Sequence, residues 1–135
     1  MDNVSRSFLR RASAGIAVAL VIGVAVIATC NTIWAIARNY PMLSLWDEAS
    51  ISQIVKVSAP FVLLALFGIK SSRPWIVGLC LTGAFWGFYT YDITRPYEGG
   101  GANIGLGILM MFSPIAIIGA SLLSLVTLRG RSAGK

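Results

Sequence analysis

The chain has 135 residues, of which 56% are hydrophobic and only 12% charged, and its formal net charge is +6. A soluble domain carries about 25% charged residues, so this composition and a mean hydropathy of +0.78 exclude an ordinary water-soluble globule. Nucleic-acid binding is excluded too, because the cations sit at the ends of apolar runs and form no basic face.

Four apolar runs, near residues 13–37, 51–69, 74–91 and 102–128, approach the ~20 residues that a helix needs to cross a bilayer. They predict an all-α integral membrane protein: one transmembrane domain over 1–135, built as a four-helix bundle. The first run follows Arg6, Arg10 and Arg11. Ala35-Ile36-Ala37 resembles a signal-peptide cleavage site, but the run exceeds the about 7–15 apolar residues of such peptides. It is therefore read as a retained span. Gly15, Ala19 and Gly23 recur every four residues and share a helix face suited to close packing in lipid. Asn31 and Thr32 add polar groups near its C-terminal end.

In the second run, Ser44 is the expected helix cap, with Asp47 three residues on as an acidic capping-box variant. Glu48, Ser52 and Lys56 then fall on one face. Lys56 lies roughly 7.5 Å inside the run at 1.5 Å per residue. A lysine at mid-membrane costs about 2.5–3.5 kcal/mol. Two readings follow: a lysine that snorkels to the interface, or a cation paired with an acid in a polar pocket. Pro60 removes a backbone donor and predicts a kink.

The third run opens on Pro74, suited to a first helical turn. Gly83 and Gly87 are expected to pack against another helix, and Asp92 is the expected partner of Lys56. With Asn31, Thr32, Glu48 and Ser52, those two residues make up a candidate ligand or ion pathway. Before the fourth run, Asn103 caps the helix and, with Gly105, forms a candidate anion or lipid-headgroup site. Gly101 and Gly105 are further packing positions, and Pro114 predicts a second kink.

Charge sets the expected orientation. Arg6, Arg10, Arg11, Lys70, Arg73, Arg129, Arg131 and Lys135 fall on one side of a four-span chain. Asp47, Glu48, Asp92 and Glu98 fall on the other, with Arg38 and Arg95. Short loops obey the positive-inside rule, so both termini are expected in the cytoplasm, and a bacterial inner membrane is the expected host.

The reactive inventory is small. There is no histidine, which removes His-based metal sites and His-dependent triads. Cys30 and Cys80 lie toward opposite ends of their runs, too far apart for a disulfide. No cofactor and no catalytic role are expected. The expected function is that of an accessory or interaction subunit, held to other membrane proteins or to itself. The alternatives are a small oligomeric transporter or channel with a polar site near Lys56, and a protein that binds lipid or a hydrophobic ligand.

Overall fold

The computed structural model describes residues 3–96 and 104–132, with side chains over 5–96 and 104–126. Within them the chain is all-helical: α1 (Asn3–Arg38), α2 (Glu48–Leu66), α3 (Ser72–Thr94) and α4 (Ile104–Ser132). Three of these, α1, α2 and α4, are long and apolar enough to cross a membrane. At 23 residues α3 has the length. It falls short in apolarity because aromatic residues, glycines and threonines take the place of aliphatic ones. Four helices were expected to span, and three of the four have the length and apolarity to do so.

Specific end chemistry fixes the helix boundaries. At the end of α1, Tyr40 N–H donates to Ala35 O (3.0 Å) and Asn39 N–H to Ile36 O (3.3 Å). Asn39 sits at φ 53°, so this is a Schellman closure with asparagine in the left-handed position. The end of α2 repeats it: Ile69 N–H donates to Leu64 O (3.1 Å) and Gly68 N–H to Ala65 O (3.0 Å), with Gly68 at φ 65°. The start of α2 differs from the sequence expectation. Its cap is Asp47, whose carboxylate accepts from Ser50 N–H at 2.6 Å. Ser44 instead accepts from Trp46 N–H (3.1 Å) and shapes the turn before it. An aspartate adjacent to the first helical residue satisfies an orphan donor directly, which a serine three residues earlier does not.

Contacts between helices give an up-down-up-down bundle. Along α1, Gly15 meets Ala65, Gly23 meets Ser58 and Ile54, and Asn31 meets Ser50, so α1 and α2 are antiparallel. Ala19, between those glycines, is fully buried. The small-residue stripe expected on α1 thus packs against α2. Gly78 of α3 meets Phe61 of α2 and Ser121 of α4, while Gln53 meets Tyr89. α3 is therefore antiparallel to both neighbours and parallel to α1.

Each helix buries a narrow stripe. In α3 it is Pro74, Gly78, Thr82, Trp86 and Thr90, one residue in four. Ile27, Cys30, Val57, Trp86 and Met110 form one core cluster, and Ala19, Phe61 and Leu64 a second. Trp86 joins all four helices. At the C-terminal end of α1, the Arg38 guanidinium donates to the carbonyls of Ile93 (3.2 Å) and Arg95 (2.7 Å). A cation on the last carbonyls of α3 satisfies orphan acceptors and the negative end of its dipole.

Both α2 and α4 run on through proline, at Pro60 and Pro114. Proline frees the carbonyl four residues earlier. In α4 that carbonyl belongs to Met110, and Ser113 Oγ donates to it at 3.1 Å. The neighbouring hydroxyl thus supplies the bond that lipid cannot.

Candidate functional site

The best-connected polar cluster lies at the end of the bundle where α1 and α3 finish and α2 begins. Asn31 Nδ2 donates to Ser50 Oγ (3.1 Å), and Gln53 Nε2 donates to the Tyr89 hydroxyl (3.4 Å). These residues, with Asp47, Cys30 and Trp34, line a recess of about 310 Å³. Three helices build it: α1 gives Asn31, α2 gives Ser50 and Gln53, and α3 gives Tyr89. Amide–hydroxyl pairs of this kind bind helices together where water is excluded.

Of the six residues of the candidate pathway, only Asn31 belongs to this recess. Thr32 is half-buried, and its hydroxyl donates to Ala28 O at 2.8 Å, within its own helix. Glu48 and Ser52 are exposed on the outer surface of the bundle, and Lys56 is half-buried along the same face of α2. The stripe of three is therefore real as a face, but it points away from the neighbouring helices. Asp92 is half-buried and has interactions of its own. No ion pair joins it to Lys56, which makes no hydrogen bond or ion pair among the described residues. Lys56→Met should therefore be tolerated, since it keeps the apolar stem and removes a charge that is costly in lipid. A double-mutant cycle with Asp92→Asn, read by unfolding in mixed micelles, should give a coupling inside the ~0.3–0.5 kcal/mol of independent sites. A coupling of about 1 kcal/mol or more would restore the pair.

The packing glycines divide. Gly15 and Gly23 are in close contact with α2, as described. A Cβ added at Gly83 or Gly87 would meet no heavy atom within 4 Å. Among the described residues, therefore, no other helix packs against those two. They line an open groove of about 570 Å³ between α1 and α3, whose other walls include Ala25, Thr29, Ile33 and Trp86. The groove is nearly all hydrocarbon. Gly105 is exposed in the first turn of α4. Gly101 and Asn103 lie outside the described residues, so the Asn103 cap and its anion site do too.

Three buried hydroxyls, Ser58, Thr82 and Ser121, have no hydrogen-bond partner among the described residues. They come from α2, α3 and α4. Serine and threonine in a membrane helix commonly bond the carbonyl one turn back, as Thr90 does to Trp86 O at 2.8 Å. These three leave that capacity unused inside the bundle.

Sequence reasoning passed over Ser50, Gln53 and Tyr89. The signal was present: Ser50 and Gln53 are polar, three apart, and stand at the mouth of an apolar run, so they share a face. Compared with known proteins, the chain matches no family model, no curated protein and no solved structure.

Proposed function

We propose that this protein is a small multi-pass membrane subunit that binds other membrane proteins or further copies of itself. In this reading all four helices span, α3 included. It runs alongside α1 from Gly15–Trp75 at one end to Arg38–Ile93 at the other, and its Thr82 and Thr90 are buried against the bundle. Both termini then lie on the cytoplasmic side, with Arg6, Arg10, Arg11, Lys70 and Arg73 around that end of the bundle. The host is a bacterial inner membrane. Local bends at Pro60 and Pro114 belong to the same picture.

The observation that carries the reading is the groove floored by Gly83 and Gly87. Helices associate in lipid by van der Waals contact where small residues let backbones approach. Among the described residues this face has no partner, so its close-approach capacity is available to another helix. The polar stripe of Glu48, Ser52 and the half-buried Lys56 points the same way, since polar groups on a membrane helix are sheltered by protein or by the interface.

Gentle detergent extraction followed by native mass spectrometry tests it. The wild type should appear as an oligomer or with companions. Gly83→Ile and Gly87→Ile should shift it to the single chain while leaving the thermal unfolding of that chain unchanged. A wild type that is monomeric and free of companions at every detergent level sinks the proposal.

A second reading, a small oligomeric transporter, draws on the three unpartnered hydroxyls inside the bundle. Unpartnered hydroxyls from three helices are the kind of groups that a narrow water or ion track would use. Substrate-independent proteoliposomes, with no flux of water, protons or small ions above empty vesicles, would remove it.

A further inference from the structure

At the end of the bundle opposite the polar recess, a cleft of about 670 Å³ opens between the first turns of α1 and the turn joining α2 to α3. Arg11 of α1 and Lys70 of the turn stand on its rim, distant in sequence and both exposed. Phe8, Ala65, Ile69 and Trp75 make it apolar below. Trp75 is held in place by its indole N–H, which donates to Ile69 O at 3.3 Å. The turn is set by Gly68 at φ 65°, where a Cβ would come 3.3 Å from the Phe8 ring. A second recess, about 490 Å³, continues along α1: it shares Ser7 and Arg11 and adds Arg6 and Arg10. Among the described residues, no acidic side chain lines either one.

The combination selects its occupant by chemistry. A free inorganic anion would satisfy the cations and leave the aromatic and aliphatic floor uncovered. A neutral hydrocarbon would cover the floor and leave the cations unmatched. Basic pockets between membrane helices at the cytoplasmic side suit acidic headgroups. We propose that this cleft binds an anionic phospholipid, its phosphate between Arg11 and Lys70 and the start of one acyl chain against Phe8 and Trp75. This site is separate from the Gly83–Gly87 groove, and its test does not depend on the subunit reading.

The full-length protein is placed in nanodiscs of phosphatidylcholine, and lipid exchange is followed by native mass spectrometry as phosphatidylglycerol of the same acyl chains is titrated in. Phosphatidylglycerol should be retained over phosphatidylcholine by about tenfold or more, and each of Arg11→Gln and Lys70→Gln should lower that preference about fivefold. Lys56→Gln removes an equal charge elsewhere and should leave it intact. The charge-keeping pair Arg11→Lys and Lys70→Arg guards against misfolding and should retain most of the preference. Equal retention of the two lipids overturns the proposal, as does undiminished preference in the Arg11→Gln, Lys70→Gln double variant. Displacement of phosphatidylglycerol by millimolar inorganic phosphate would show a plain anion site, and overturns the lipid assignment.

Discussion

Gly23→Ile is expected to break the bundle at its centre, whereas the same exchange at Gly83 is expected to leave the fold intact. At Gly23 the added Cβ alone would collide with Ser58 Oγ, and would lie 2.9 Å from the Ile54 carbonyl oxygen and 3.3 Å from Ile54 Cγ2. Ser58 Oγ ends a short rotatable side chain, whereas the Ile54 carbonyl is fixed in the helix backbone. α1 and α2 would have to separate, and theirs is the most extensive helix pairing in the molecule. The cost should exceed the ~1–3 kcal/mol of ordinary overpacking. At Gly83 the space is open, and leaving glycine behind gains helix propensity of up to about 1 kcal/mol. Since the two variants have the same composition, membrane insertion is controlled. Unfolding in dodecyl maltoside with increasing sodium dodecyl sulfate should separate them clearly. Equal midpoints would mean that the α1–α2 contact at Gly23 does not hold the fold together.

That contrast marks what spacing in a sequence conveys. Gly15, Ala19 and Gly23 recur every four residues, and so do Gly83 and Gly87; both patterns establish a shared face. Neither says which face turns toward a neighbour. In α3 the buried stripe runs through Gly78, Thr82 and Trp86. It lies one position before Gly83 and Gly87 and carries a threonine and a bulky ring where small residues were expected. The helix count was legible because each apolar run is long. The character of α3 was harder to read, since its glycines, threonines, tyrosines and tryptophans interrupt a run that otherwise looks apolar.

The polar residues show the same division. Lys56 and Asp92 attract attention because charge is rare in an apolar run, and rarity is visible in one dimension. Pairing is a property of three. The groups that the fold does bring together, Asn31 with Ser50 and Gln53 with Tyr89, are uncharged and lie 19 and 36 residues apart. Helix ends were only partly legible. Asp47 and Ser44 are comparable caps on propensity, and the choice between them follows from how the chain enters α2. The link from Arg38 to the end of α3 spans 55 to 57 residues, and no local pattern announces it.

Trp86→Ala is expected to loosen α3 from the bundle. Trp86 is only 1% exposed and clusters with Ile27 and Cys30 of α1, Val57 of α2 and Met110 of α4. Its ring also meets Tyr89 edge-on at 5.4 Å and Phe85 at 6.5 Å. Truncating a core tryptophan costs about 3–5 kcal/mol in water-soluble proteins. In lipid the transfer part of that cost shrinks, because the unfolded helix buries the same ring in hydrocarbon. The packing and cavity part remains, which places the expected loss at the lower end, about 3 kcal/mol. Cys30 gives a local reading of the event. It is 8% exposed and belongs to the same cluster, so in a Cys80→Ser background it should react slowly with maleimide in the wild type. Trp86→Ala should speed that reaction by an order of magnitude or more, through opening of the α1–α3 contact. Trp86→Phe, which keeps an aromatic ring in the cluster, should retain most of the protection. If Cys30 stays protected in Trp86→Ala while the unfolding midpoint also holds, then α3 is fixed by its ends, through Arg38 and Trp75, and not by its centre.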